Sequence, residues 1–155
     1  MSASPTPVVL ATGGSGGHVF PAQALAAELV RNHYALAIIT DRRGNAFNGL
    51  RGQIDTYCVN ASGVSGRNVA GGIVAMSQIG LGLLEALILL RRLKPAVVVG
   101  FGSYASVPSV FAASLLSIPT VIHEQNAVLG RANQFLIRRA FSAYSTGMRS
   151  THCIS

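Results

Sequence analysis

Five short runs of Val, Ile, Leu and Ala recur along the chain, at residues 8–12, 35–40, 54–59, 96–100 and 120–123, and each gives way to glycine-rich or polar residues. Helix-length segments separate most of them. Residues 21–31 open on Pro21, residues 73–93 are stopped by Pro95, residues 108–117 open on Pro108, and residues 131–139 follow Gly130. Proline suits a first helical turn, where its missing N–H has no intrahelical partner to lose, and it stops a helix that runs into it. Strands this apolar need cover on both faces. Strand alternating with helix therefore predicts an α/β fold, a parallel sheet with helices on both sides.

Composition narrows the function classes. At 155 residues the chain has the length of one domain. Half of it is hydrophobic and 11% is charged, well under the roughly 25% charged share of an average domain, which excludes disorder. Twelve basic residues against five acidic ones give +7, a charge that favours anionic partners. Nucleic acid is not among those expected, because the basic residues are scattered or paired (Arg42 with Arg43, Arg91 with Arg92, Arg138 with Arg139) and no interleaved aromatic motif accompanies them. Cys58 and Cys153 form no CxxC pair and no metal-ligand spacing, so a reducing compartment is expected, with no structural disulfide and no metal. Residues 1–7 carry no basic stretch and residues 8–11 are too short for a signal-peptide core, which predicts a cytoplasmic location.

In parallel sheets of this kind ligands bind beyond the carboxyl ends of the strands. Three of the loops expected there are chemically unusual. The first, Gly13-Gly14-Ser15-Gly16-Gly17-His18, lacks side chains that would keep backbone N–H groups from an anion, and the helix that follows adds its positive end. Tight strand-to-helix packing would use the same glycines. The loop has neither the Gly-Lys-Ser/Thr ending of a Walker loop nor the G-x-G-x-x-G spacing of dinucleotide folds. Asp41, at the end of the second strand, nevertheless stands where a nicotinamide enzyme would bind a ribose hydroxyl, so an oxidoreductase is one alternative. His18, at the mouth of the cleft, can act as a general base or can bind a phosphate.

The other two loops are Gly100-Phe101-Gly102-Ser103-Tyr104 and His123-Glu124-Gln125-Asn126. The last is too polar to end a buried strand for packing reasons. Glu124 is a second candidate base, or it orients a sugar hydroxyl; hydrogen bonding within the loop would also account for such a cluster. Residues 73–90 are almost wholly apolar, interrupted by Ser77, Gln78, Gly80, Gly82 and Glu85, and Arg91, Arg92 and Lys94 follow. A core helix, a helix lying in an anionic lipid surface and a membrane span are the three readings, with the internal glutamate counting against the span.

Taken together, three words of the sequence resemble the MurG family of UDP-N-acetylglucosamine transferases. They are Gly13-Gly14-Ser15-Gly16-Gly17-His18-Val19-Phe20-Pro21-Ala22, then Val99-Gly100-Phe101-Gly102-Ser103-Tyr104-Ala105-Ser106-Val107-Pro108, then His123-Glu124-Gln125-Asn126-Ala127-Val128-Leu129-Gly130-Arg131-Ala132-Asn133. Their order and spacing follow the family from about residue 8 to about residue 140. The resemblance implies the amino-terminal, Rossmann-like domain of a two-domain GT-B glycosyltransferase, which holds the lipid acceptor while the carboxyl-terminal domain holds most of the UDP-sugar. It implies that Ser15, Gly16, Gly17 and Asn126 reach UDP-N-acetylglucosamine, and that Gly13, Gly14, Gly102, Ser103, Tyr104 and Ser106 hold the acceptor diphosphate.

The reaction implied is inverting transfer of N-acetylglucosamine to a lipid-linked N-acetylmuramoyl-pentapeptide in peptidoglycan synthesis, with His18 the first and Glu124 the second choice of base and no cofactor. The apolar segment resembles the family's membrane-docking patch, which assigns Ile73, Ile79, Leu83, Arg91, Arg92 and Lys94 to an anionic membrane surface, at the inner face of the bacterial plasma membrane. Ser103 departs from the family's usual glycine and is expected to tune phosphate contact. The match decays after Ala140, and residues 144–155 read as neither strand nor linker. The expected organisation is thus a domain over residues 1–140, a divergent tail over 141–155 and an absent donor-binding domain, as in a truncated gene product. The alternative function is a non-catalytic, membrane-docking acceptor module that needs a separate donor-binding subunit.

Overall fold

The computed structural model describes residues 6–13, 16–41, 54–60, 69–102, 106–124, 142–145 and 152–153. The elements run β1 (Val8–Ala11), α1 (Gly16–Arg31), β2 (Leu36–Thr40), β3 (Asp55–Cys58), α2 (Val69–Leu93), β4 (Val97–Gly100), α3 (Ser106–Leu115), β5 (Thr120–Glu124), β6 (Ser142–Ser145) and β7 (His152–Cys153). The strands form one sheet in the order β3-β2-β1-β4-β5-β6-β7. Every pairing is parallel except that of β6 with β7.

Side-chain alternation along the strands divides the core between the two faces of the sheet, as a two-residue period must. Val9, Ala11, Ala37, Ile39, Val98 and Ile122 meet Ala86 and Leu90 of α2 and Val110, Ala112 and Ala113 of α3 on one face. Leu10, Ile38, Val99 and Phe101 meet Val19, Ala22 and Ala26 of α1 on the other. Alanine at so many helical contacts lets the helix axes lie close to the sheet. The larger side chains supply most of the driving force: Leu10, Ile38, Ile39, Leu90 and Ile122 are fully buried, at about 1.5–3 kcal/mol each.

All five strands expected from the sequence are present. Helix starts are not where the prolines put them. α1 begins at Gly16 with Pro21 inside it, α2 at Val69 and α3 at Ser106. Proline at the sixth position costs α1 only the bond to the carbonyl of Gly17, an exposed residue of the first turn. At the other ends, His33 and Ser117 take left-handed φ of 60° and 56°. Bonds from Tyr34 N–H to the Leu29 carbonyl (3.0 Å) and from Ile118 N–H to the Ala113 carbonyl (2.9 Å) close these caps.

The reading of residues 144–155 as neither strand nor linker is corrected by β6 and β7, so the sheet continues past residue 140. Ser142, Ala143, Tyr144 and Ser145 carry no apolar run of their own. Their strand arises from pairing with the edge of β5, a tertiary effect that outweighs local pattern. The helix expected over residues 131–139 lies outside the described residues.

Candidate active site

The strand order reverses between β1 and β4, the point where a parallel sheet opens a crevice at its carboxyl edge. The first glycine loop leaves β1 there and the second leaves β4. Phe101 N–H donates to the Ala11 carbonyl at 2.9 Å, which ties the two loop roots together. Gly102 follows with φ of 79°, a left-handed conformation that a side chain would strain.

His18 lies in the first turn of α1, half-buried, and its Nδ1 is 2.8 Å from the Phe101 carbonyl. A carbonyl only accepts, so Nδ1 carries the proton of this bond. In the neutral ring Nε2 therefore holds the lone pair, the form a general base requires. Thr12, wholly buried at the end of β1, donates its hydroxyl to the His18 carbonyl at 3.2 Å and so fixes the backbone under the ring. Sequence reasoning missed Thr12 and the Phe101 carbonyl. A strand-end hydroxyl next to a glycine run was the one available signal for the first; a backbone acceptor 83 residues away leaves none.

β5 brings His123 and Glu124 to the same edge of the sheet but to opposite faces. Val121 packs with the α1-side core and Ile122 with the α2–α3 side. Alternation therefore places His123 on the α1 face with Phe101, and Glu124 on the far face, where it is 2% exposed. The His123 and Phe101 rings are 5.4 Å apart at 38°. Burial pushes the His123 imidazole below its ordinary pKa of 6.5, and the Glu124 carboxylate partly opposes that shift. The two candidate bases are thus not brought together.

Of the other expected site residues, Gly13 and Gly102 are buried at the two loop roots, Gly16 and Gly17 form the start of α1, and Ser106 is buried at the start of α3. Gly14, Ser15, Ser103, Tyr104 and Asn126 lie outside the described residues. Among the described residues, no three His, Cys, Asp or Glu side chains gather as metal ligands would. A cavity of about 620 Å³ lies at the amino-terminal edge of the sheet, lined by Thr6, Asp55, Tyr57, Arg92 and Lys94 among others, on the edge opposite the loops.

α2 differs from the docking face expected of it in one respect. Leu83 packs against the core, and the exposed apolar positions are Leu81 (55%), Leu84 (58%) and Ile88 (68%). These are spaced three and four apart, so they share one stripe, and exposed Arg91, Arg92 and Lys94 lie beyond its end. Ile73 and Ile79 belong to α2, but their side chains are outside the described set. Among the described residues no helix is long and apolar enough to cross a membrane.

Two of the residues that interrupt this apolar helix, Gly82 and Glu85, have a packing role. Glu85 accepts bonds from the N–H and Nδ2 of Asn60 at 2.7 and 2.6 Å, and a Cβ on Gly82 would fall 1.9 Å from the Asn60 carbonyl oxygen. The chain leaving β3 is thereby held against α2. A lone acid in an apolar helix was legible as an anomaly, though its partner was not.

Comparison with known proteins agrees with this arrangement. The UDP-N-acetylglucosamine--N-acetylmuramyl-(pentapeptide) pyrophosphoryl-undecaprenol N-acetylglucosamine transferase of Rhodospirillum rubrum is 54% identical over 136 residues, covering 88% of this chain and 35% of that protein. The transferase of the same name from Paramagnetospirillum magneticum is 49% identical, covering 94% of this chain and 40% of its own length. Both relatives are therefore more than twice as long as the part they share with this chain. Among solved structures, Acinetobacter baumannii MurG superposes with a TM-score of 0.78 at 34% identity, over 91% of this chain and 41% of that one. The Streptomyces glycosyltransferase SsfS6, at 18% identity and a TM-score of 0.60, shares the fold. The two curated relatives are transferases, which speaks against the oxidoreductase alternative raised by Asp41. The sequence pattern of the glycosyltransferase family 28 N-terminal domain matches residues 8–145, and the chain belongs to that family.

Proposed function

We propose that this chain is the acceptor-side half of an inverting N-acetylglucosaminyltransferase of peptidoglycan synthesis. The observation that carries the reading is His18, held at the switch point with its proton on Nδ1 by the Phe101 carbonyl, in a chain 54% identical to a transferase named for that reaction. The C4 hydroxyl of the lipid-linked N-acetylmuramoyl-pentapeptide attacks the anomeric carbon of UDP-N-acetylglucosamine. A new C–O bond forms, the bond to the diphosphate breaks, UDP leaves, and the hydroxyl proton passes to Nε2 of His18. Gly13, Gly14, Gly102, Ser103, Tyr104 and Ser106 hold the acceptor diphosphate, where glycine backbone and the start of α3 offer N–H donors. Ser15, Gly16, Gly17 and Asn126 face the donor, whose remaining contacts come from the part of the relatives that this chain does not span.

The choice of His18 over Glu124 follows from access, since the carboxylate is on the far face of the sheet and 2% exposed. The test is made in a complete two-domain enzyme carrying this half. His18→Ala is expected to lower the turnover number by about 10²–10⁴ with little change in either Michaelis constant. Near-normal turnover in that variant, with Glu124→Gln inactive and still binding both substrates, would transfer the role to the carboxylate.

The same reading places the protein at the inner face of the plasma membrane. Leu81, Leu84 and Ile88 form an apolar stripe with cations beyond its end, the arrangement of a helix that lies in an anionic lipid surface.

A further inference from the structure

His123 lies against Phe101, whose carbonyl bonds His18, and no step of the reaction has been given to it. Its Nδ1 is buried and has no hydrogen-bond partner among the described residues. An N–H pointing into that surrounding would be left unpaired, so the neutral tautomer with a bare Nδ1 and the proton on Nε2 is favoured. The ring then acts as a flat, uncharged surface, and what it touches is Phe101, at 5.4 Å between centroids. Phe101 is itself 2% exposed, with its N–H bound to Ala11 and its carbonyl receiving the proton of His18. Beyond Phe101 the backbone turns through Gly102 at φ 79°, a residue with no side chain to hold the peptide plane. The orientation of the Phe101 carbonyl therefore depends on how firmly the Phe101 side chain is seated.

We propose that His123 is a positioning residue for His18: its ring seats Phe101, so that the Phe101 carbonyl keeps the His18 proton on Nδ1 and the lone pair on Nε2. Three residues from three elements, the first turn of α1 and the carboxyl ends of β4 and β5, form one relay of contacts on the α1 face of the sheet. Burial lowers the pKa of His123 and so favours the neutral ring in this role, with the Glu124 carboxylate partly opposing. The inference rests on His18 as the proton acceptor for its relevance to turnover, but the tautomer it predicts can be read without catalysis.

The experiment is ¹⁵N NMR of the ring nitrogens of His18 in the purified chain, in the native sequence and in His123→Val and His123→Phe. Valine suits a strand, so the first variant keeps β5 while removing the flat ring; phenylalanine keeps a ring and removes both nitrogens. In the native chain at a pH where His18 is neutral, the Nδ1–H tautomer is expected. His123→Val is expected to move His18 toward the Nε2–H form that free imidazole side chains prefer, and His123→Phe to retain Nδ1–H. A folded His123→Val with an unchanged His18 tautomer overturns the proposal. So does a folded His123→Phe that loses it, since a nitrogen and not the ring would then be at work. In the complete enzyme, His123→Val is expected to lower turnover by roughly ten- to a hundredfold at unchanged Michaelis constants, and to add nothing to His18→Ala. Full turnover in His18→Ala would overturn the base reading and leave the tautomer result standing.

Discussion

At the residue scale, His123 ties a charge state to the stability of the fold. Its folded pKa is depressed below 6.5 by burial, with Glu124 opposing, so between the two values the unfolded chain binds more protons than the folded one. Stability then rises with pH through that window and is lost as pH falls through it. The melting temperature of the native chain is expected to drop between pH 7 and pH 5 more steeply than that of His123→Phe. Equal slopes in the two proteins would show that His123 carries none of the acid sensitivity. Thr12 makes a second residue-scale case. Its hydroxyl bonds the His18 carbonyl from a fully buried position, and Thr12→Val keeps the shape while removing the donor. A loss of about 1 kcal/mol in stability is expected from chemical denaturation.

At the element scale, α2 carries two glycines with opposite consequences. A Cβ at Gly80 would meet nothing within 4 Å, whereas one at Gly82 would strike the Asn60 carbonyl oxygen at 1.9 Å. Gly80→Ala is expected to stabilise the chain by about 0.5–1 kcal/mol through helix propensity. Gly82→Ala should cost on the order of 1–3 kcal/mol, because backbone must move to admit it. Denaturant midpoints of the two variants, shifted in opposite directions, are the measurement. The outer face of the same helix makes a separate claim. Replacing Arg91, Arg92 and Lys94 with glutamine is expected to weaken binding to anionic vesicles by up to about 1 kcal/mol per charge and to flatten its salt dependence. Unchanged binding and salt dependence would place the docking surface elsewhere.

At the scale of the whole molecule, the chain spans 35–40% of the length of the two curated relatives described above. Catalysis between two substrates needs both held in one geometry, and in the function proposed above the crevice between β1 and β4 is one wall of that site. The purified chain is therefore expected to show no transfer of N-acetylglucosamine to a lipid-linked acceptor above a no-enzyme control. Measurable turnover by the chain alone would mean that one domain suffices to place donor and acceptor.

The sequence by itself determined strands β1 to β5, the existence of three helices and the loops to which the chemistry is assigned under the proposed function. Those depend on short-range quantities, namely apolar periodicity, proline and glycine chemistry and the run of residues in a motif. It also singled out His18, because a histidine after four glycines is a local fact. Only the tertiary structure decided the rest. Helix starts shifted because packing extends a helix beyond its proline signals, and β6 formed because β5 offered an edge to pair with. The faces given to His123 and Glu124, and the meeting of His18 with Phe101 across 83 positions of chain, follow from strand order and pleat. Asn60 and Glu85, 25 residues apart, meet for the same kind of reason. No local pattern encodes such pairs, since the partner of each group is fixed by how the sheet is assembled.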